Sequence, residues 1–203
     1  MPTQGFKKII LARHGETEFN AARVIQMPSA VLSVNGRKQA TLLAQRLAGA
    51  GVTRILSSDF PRAIETAQLV SDQTGVQVEY EPALRERDFG DLRGRSYDSL
   101  PFNPLPADFT PPNGESPDAF YERLASAWQR IVDCSAQTCG NLLVVTHGLV
   151  CRALVVRYVE SQSVGDMPRT WFNTSITEIG ATAPWVASRV NCVAHLSHQT
   201  RSS

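Results

Sequence analysis

A chain of 203 residues is ample for one domain with a full core and short for two. With 42% apolar residues, 19% charged residues and a formal charge of +1, it has no global field that would favour nucleic acid or an acidic membrane. Any recognition of anions has to come from local arginines, whose planar heads grip a phosphate with two hydrogen bonds.

Cys134, Cys139, Cys151 and Cys192 form no CxxC pair and no metal-ligand spacing, so they read as reduced, structural thiols of a reducing cytosol. The first strand begins within a few residues of Met1, too early for a signal peptide, and no apolar run nears the roughly 20 residues of a membrane span. The expectation is a cytoplasmic protein forming a single domain over 1–203, with neither membrane nor nucleic acid as partner.

The first predicted strand, Lys7-Lys8-Ile9-Ile10-Leu11-Ala12, rises to Arg13-His14-Gly15 and gives way to an acidic helix over 16–23. A loop over 24–32 leads to Ser33, a predicted N-cap for a helix over 34–48. A short strand over 53–57 follows. The next helix has Pro61 near its first position and Gly75 at its end.

Residues 76–80 alternate like a strand, 84–94 read as a charged surface loop, and prolines at 101, 104, 106, 111 and 112 mark a lid or binding loop. Ser116-Pro117 starts a long helix to about 135, with Phe120, Leu124, Ala127, Trp128 and Ile131 on one stripe. A strand over 141–146 ends at His147-Gly148, followed by a helix over 150–159. Two strands over 175–179 and 186–193 form a hairpin-like pair, and the polar tail frays from about His195. This order implies an α/β domain of three layers, with a mostly parallel sheet covered by helices on both faces.

Two predicted strands end in His-Gly, at His14-Gly15 and His147-Gly148. If both are central in one parallel sheet, both histidines emerge at the carboxyl edge, where ligands bind. Arg62, just after the second strand, exits at the same edge, and Glu86 lies in the charged loop beyond the third. Arg-His-Gly alone is weak evidence, since a histidine after a strand is commonly a satisfied structural residue. The convergence of two histidines, two arginines and a carboxylate is far more specific.

Arg13-His14-Gly15-Glu16-Thr17, with Asn20 and Arg23, resembles the signature of the histidine phosphatase superfamily in its phosphoglycerate-mutase-like branch. Ser57-Ser58-Asp59-Phe60-Pro61-Arg62 is similar to that branch's second arginine motif, Leu84-Arg85-Glu86-Arg87 to its acid loop, and Val145-Thr146-His147-Gly148 to its second histidine motif. Pro112-Asn113-Gly114-Glu115-Ser116 and Asn173-Thr174-Ser175 also look like family segments.

The resemblance implies that His14 attacks phosphorus, that Arg13, Arg62 and His147 surround the phosphoryl oxygens, and that Glu86 is the general acid and base. It implies substrate contacts at Asn20, Gly15, Thr17, Arg23, Gln26 and Gly148, with backbone donors from a helix start after Gly15. Gln26 and Arg23 fit a solvated loop equally well, and Glu81 and Asp88 are rivals to Glu86. No cofactor and no metal are expected. His195 and His198 are spaced three apart without an acidic partner, which argues against a metal site.

Two departures from the family pattern fall near the expected pocket rim: Leu92-Arg93 stand where relatives carry tryptophan and an acidic residue, and Ser29-Ala30-Val31 lack an acidic residue. They bear on the substrate and leave the chemistry alone. The expected activity is hydrolysis of a small phosphorylated metabolite. The alternatives are a cofactor-dependent phosphoglycerate mutase, disfavoured by a short segment between Glu86 and His147, and a noncatalytic phosphate-binding module. Phe102, Leu105 and Phe109 offer apolar surface to a substrate or else to the core. Oligomeric state is not legible.

Overall fold

The computed structural model describes residues 7–104, 109–160, 168 and 170–196. Its elements are β1 (Lys8–Arg13), α1 (Glu18–Ala21), α2 (Val34–Leu47), β2 (Val52–Ser57), α3 (Pro61–Thr74), β3 (Val78–Tyr80), α4 (Pro117–Gln137), β4 (Asn141–Thr146), α5 (Gly148–Tyr158), β5 (Ile176–Gly180) and β6 (Ala187–Cys192). The strands form one sheet in the order β3-β2-β4-β1-β5-β6. The first four in that order are parallel, while β5 runs antiparallel to β1 and β6 antiparallel to β5.

The apolar runs of β1 and β4 are continuous because both faces of these strands are covered. Ile9, Leu11, Leu142 and Val144 point one way and pack with Leu124, Trp128 and Ile131 of α4 and Leu154 of α5. Their neighbours Ile10, Ala12, Leu143 and Val145 point the other way, against Leu43 and Leu47 of α2 and Ala63, Ala67 and Val70 of α3. This is the three-layer α/β architecture expected from the sequence.

Caps follow the expected chemistry. Ser33 Oγ accepts from the Gly36 N–H at 2.9 Å, and Gly75 closes α3 in the left-handed region at φ 73°.

Three segments differ from expectation. The first helix shrinks from 16–23 to Glu18–Ala21, because the amides before it are held by distant side chains: Gly15 N–H by Thr66 Oγ1 at 3.1 Å and Glu16 N–H by Gln39 Oε1 at 3.0 Å. Thr17 is its N-cap, and Arg23 turns the chain at φ 54°. The charged segment 84–94 is not simply a surface loop, since it buries Leu84, Arg87, Phe89 and Leu92, with Phe89 and Leu92 packed on Ile25. Alternation of charge hid these inward positions. The fray expected from His195 does not begin there either: His195 is buried against Thr174 Oγ1 at 3.1 Å and Arg46 Nη1 at 3.0 Å. Leu105, Pro106 and His198 lie outside the described residues.

The turn after β1 is clamped by α2. A Cβ on Gly36 would stand 1.9 Å from the Glu16 carbonyl oxygen, and one on Gly15 2.5 Å from the Gly36 carbonyl oxygen. Only two glycines allow this backbone-to-backbone approach.

Candidate active site

Because Arg13 pairs with Thr146 in the β1–β4 ladder, the next residues, His14 and His147, leave the sheet side by side. The His14 N–H donates to the Thr146 carbonyl at 2.9 Å, and the two ring centroids are 5.1 Å apart. Arg13, Asn20, Arg62, Glu86 and Gly148 line an adjoining cleft of about 1270 Å³. The imidazoles lie under this lining, and His14 meets it through Arg62.

His14 Nδ1 is 2.6 Å from the Gly15 carbonyl. A carbonyl only accepts, so Nδ1 carries the proton and Nε2 keeps its lone pair. Onto that lone pair Arg62 Nε donates at 3.2 Å. Burial, then the charges of Arg62 and Arg13, hold the His14 pKa well below its ordinary value, so the ring is neutral at physiological pH.

His147 Nε2 is 2.8 Å from Ser58 Oγ. Ser58 Oγ accepts from the Phe60 N–H at 3.3 Å, and the ring nitrogen is the one acceptor its own hydroxyl proton meets among the described residues, so that proton is directed to Nε2. That assigns the remaining ring proton to Nδ1, which is buried without a partner. Burial and Arg62 likewise depress the His147 pKa.

Arg62 is 1% exposed and donates through Nη1 to the Met27 carbonyl at 3.2 Å. Burial brings its pKa down to about 10, which leaves it cationic at neutral pH. Arg13 donates to the Trp171 carbonyl, while its Nε is buried and unpartnered. A Cβ at Gly148 would sit 3.4 Å from that Nε, so glycine there gives the guanidinium its place. A buried guanidinium at Arg62 and a partly buried one at Arg13, both with spare donors, make a site for a compact anion.

Glu86 Oε1 accepts from the Arg87 N–H at 3.0 Å and Oε2 from the Leu149 N–H at 3.2 Å, in the first turn of α5. Its rivals are engaged elsewhere. Glu81 caps the turn at Ala83 at 2.9 Å, and Asp88 pairs with Arg93 and the Gly90 N–H.

Asn20 lines the cleft, its Oδ1 accepting from Asn173 Nδ2 at 3.2 Å and the Thr17 N–H at 3.3 Å. Gln26 and Arg23 also line it, though Arg23 is exposed and paired with Asp98 at 3.2 Å. Thr17 and Gly15 do not. Thr17 Oγ1 serves as cap and donates to Gln26 at 2.9 Å, and the amides of Gly15, Glu16 and Thr17 are taken by Thr66, Gln39 and Asn20. The backbone donors expected after Gly15 are therefore spent, and the positive charge facing the cleft comes from arginine side chains.

Sequence reasoning missed several supporting groups. Ser58 and Asn173 stood inside recognised segments, but only the structure ties Ser58 to His147 and Asn173 to the His14 carbonyl at 3.1 Å. The Trp171 carbonyl that holds Arg13 leaves no side-chain signal. Tyr97 also lines the cleft, and burial raises its hydroxyl pKa. Phe102 lines the cleft and touches Phe109 at 5.0 Å between ring centroids, while Phe109 packs on the Ile25 cluster. Among the described residues, no group of three or more His, Cys, Asp or Glu is placed to hold a metal, and no helix is long and apolar enough to cross a membrane.

Comparison with known proteins agrees with this geometry. Residues 9–191 match the family model described as the histidine phosphatase superfamily (branch 1). The chain is 33% identical over 193 residues to the "Probable phosphoglycerate mutase GpmB" of Serratia proteamaculans, covering 89% of this chain and 88% of that protein. It is 37% identical over 166 residues to "Phosphoglycerate mutase-like protein 4" of Arabidopsis thaliana, covering 75% and 71%. The native structure of a mycobacterial glucosyl-3-phosphoglycerate phosphatase superposes with a TM-score of 0.77 at 25% identity, covering 93% of this chain and 100% of that one. Paired histidines, flanking arginines and an extended family match lead to one assignment: the chain belongs to branch 1 of the histidine phosphatase superfamily.

Proposed function

We propose that the protein is a phosphomonoesterase that hydrolyses a small phosphorylated metabolite in the cytoplasm through a phosphohistidine on His14. The observation that carries this reading is the state of His14: a buried, neutral imidazole with Nδ1–H fixed on the Gly15 carbonyl and the Nε2 lone pair turned toward a cleft-lining arginine.

In the first step His14 Nε2 forms a bond to phosphorus. The phosphorus–ester oxygen bond breaks, and the leaving oxygen takes its electron pair and a proton from Glu86. Arg13, Arg62 and the Nδ1–H of His147 hold the three peripheral oxygens as charge spreads over them. In the second step Glu86 removes a proton from water, the water oxygen bonds to phosphorus, and the phosphorus–nitrogen bond breaks. Inorganic phosphate leaves, with His14 neutral and Glu86 protonated as at the start.

Phosphate release from a panel of monoesters, with chelator present and His14→Ala as control, tests the reading. Release that persists in His14→Ala would place the nucleophile elsewhere. The mutase reading shares every catalytic group and is favoured by the names of the relatives from Serratia and Arabidopsis. The open cleft supports water as the acceptor instead. Rapid decay of phosphorylated His14 in buffer supports the phosphatase, whereas a long-lived phosphoenzyme that passes its phosphoryl group to a phosphoglycerate supports the mutase.

A further inference from the structure

Helix α5 buries Val150, Cys151, Leu154 and Val155, and presents a second stripe at helical spacing that includes Arg152, Val156 and Arg157. With Tyr121 of α4 and Arg87, this stripe surrounds a separate pocket of about 280 Å³. Arg87 and Arg152 line both this pocket and the main cleft, so the two spaces share a wall.

The charge of the small pocket sets it apart. Its lining holds three arginines and no carboxylate. Around the main cleft, Arg23, Arg85, Arg93 and Arg123 each have a carboxylate partner, namely Asp98, Asp59, Asp88 and Glu115. Arg152 and Arg157 have none within 4.0 Å among the described residues. Arg157 lies over the Tyr121 ring at 5.4 Å, and Val156 beside it is 57% exposed. Arg152 and Arg157 flank the pocket from the same helix, and an anion between them would take charge-assisted hydrogen bonds from both.

We propose that this pocket is a subsite for a second anionic group on the substrate, a carboxylate or a phosphate, joined to the reacting phosphoryl group by an apolar or aromatic segment that packs on Tyr121 and Val156. The proposal rests on the phosphomonoesterase reading for the reacting group and adds what the rest of the substrate must carry. Reach supports a long substrate. Arg152 is about 6 Å and Arg157 about 14 Å along the helix from Gly148, which abuts Arg13. A three-carbon ester would stop short of the far end.

The test compares 4-(2-carboxyethyl)phenyl phosphate with its uncharged analogue, 4-propylphenyl phosphate. The wild-type protein is expected to favour the carboxylate ester about tenfold in kcat/KM, and the ratio is expected to fall to about one in the Arg152→Gln, Arg157→Gln double variant. A ratio near one in the wild type, or a preference that survives the double substitution, overturns the subsite. If the wild type hydrolyses neither ester, the phosphatase reading is decided separately by the panel of monoesters. The subsite is then read by calorimetry with 3-(4-hydroxyphenyl)propanoate: binding that the double variant loses supports it, and no binding to the wild type overturns it.

Discussion

Arg62 Nε donates to His14 Nε2 at 3.2 Å, on the one imidazole nitrogen whose lone pair is free. The same lone pair cannot accept this hydrogen bond and attack phosphorus together. A phosphoryl group must draw the guanidinium onto its own oxygens, so substrate binding itself uncovers the nucleophile.

Arg62→Gln is therefore expected to lower kcat by roughly 100- to 1,000-fold, the scale of losing one charged donor to a transition state. Arg62→Lys should recover little, because an ammonium lacks the planar fork that can leave nitrogen for oxygen. Single-turnover phosphate release measures both. Recovery above a tenth of wild-type activity in the lysine variant would show that charge alone suffices.

The same contact predicts a pH effect. Burial, Arg62 and Arg13 lower the His14 pKa, so its imidazole is expected to show no titration between pH 8 and 6. Removing a cation must move the midpoint upward, and Arg62→Gln should therefore bring titration toward the ordinary value near 6.5. The 15N shift of the His14 ring follows this directly. A midpoint that stays put or falls would contradict the electrostatic account.

Stability should follow pH through the buried histidines. His14 and His147 are depressed well below 6.5, and His195 to about 4, with burial the largest cause in each. The unfolded chain binds these protons first, so stability is complete above about pH 6.5 and is lost as pH falls toward the folded values. The slope is at most about 1.4 kcal/mol per pH unit for each histidine. Urea midpoints between pH 7.5 and 5 measure it, and His195→Gln should flatten the slope. The carboxylates with lowered pKa, Asp59, Glu79 and Glu178, act in a more acidic window.

Ser58→Ala removes the hydroxyl that assigns the proton of His147. A fall of about tenfold in kcat is expected, with KM changed less, because the ring loses its orientation more than its charge. Tautomer exchange at His147, read by NMR, distinguishes this from general loosening. Unchanged kcat would mean that packing alone holds the ring.

Gly36→Ala places a methyl group against the Glu16 carbonyl, with a contact of 1.9 Å before any relaxation. Destabilisation of more than about 2 kcal/mol is expected, since the obstacle is backbone and cannot rotate away. Denaturant unfolding gives the value.

The alternation of strands and helices, the caps at Ser33 and Gly75, and the convergence of His14, Arg62, Glu86 and His147 were all readable from residue order. Periodicity marks buried faces, and parallel strands send their ends to one edge. What escaped depended on partners distant in the chain. The amides after Gly15 looked available until Thr66 and Gln39, from α3 and α2, were seen to hold them. Leu84, Phe89 and Leu92 looked like loop residues because their burial is imposed by Ile25 and the core, with no period of their own. A carbonyl such as that of Trp171, which anchors Arg13, carries no sequence signature at all.

Neighbouring parallel strands are copies displaced sideways by about 4.8 Å. The two imidazoles stand 5.1 Å apart at matching ends of β1 and β4. Their separation is thus fixed by the hydrogen-bond ladder of the sheet, acting as a ruler, and owes little to the helices that cover it. Repacking α2 or α4 can tune stability or access while leaving that interval untouched. A one-residue slip of β4, by contrast, would carry His147 to the opposite face and take the pair apart in a single step.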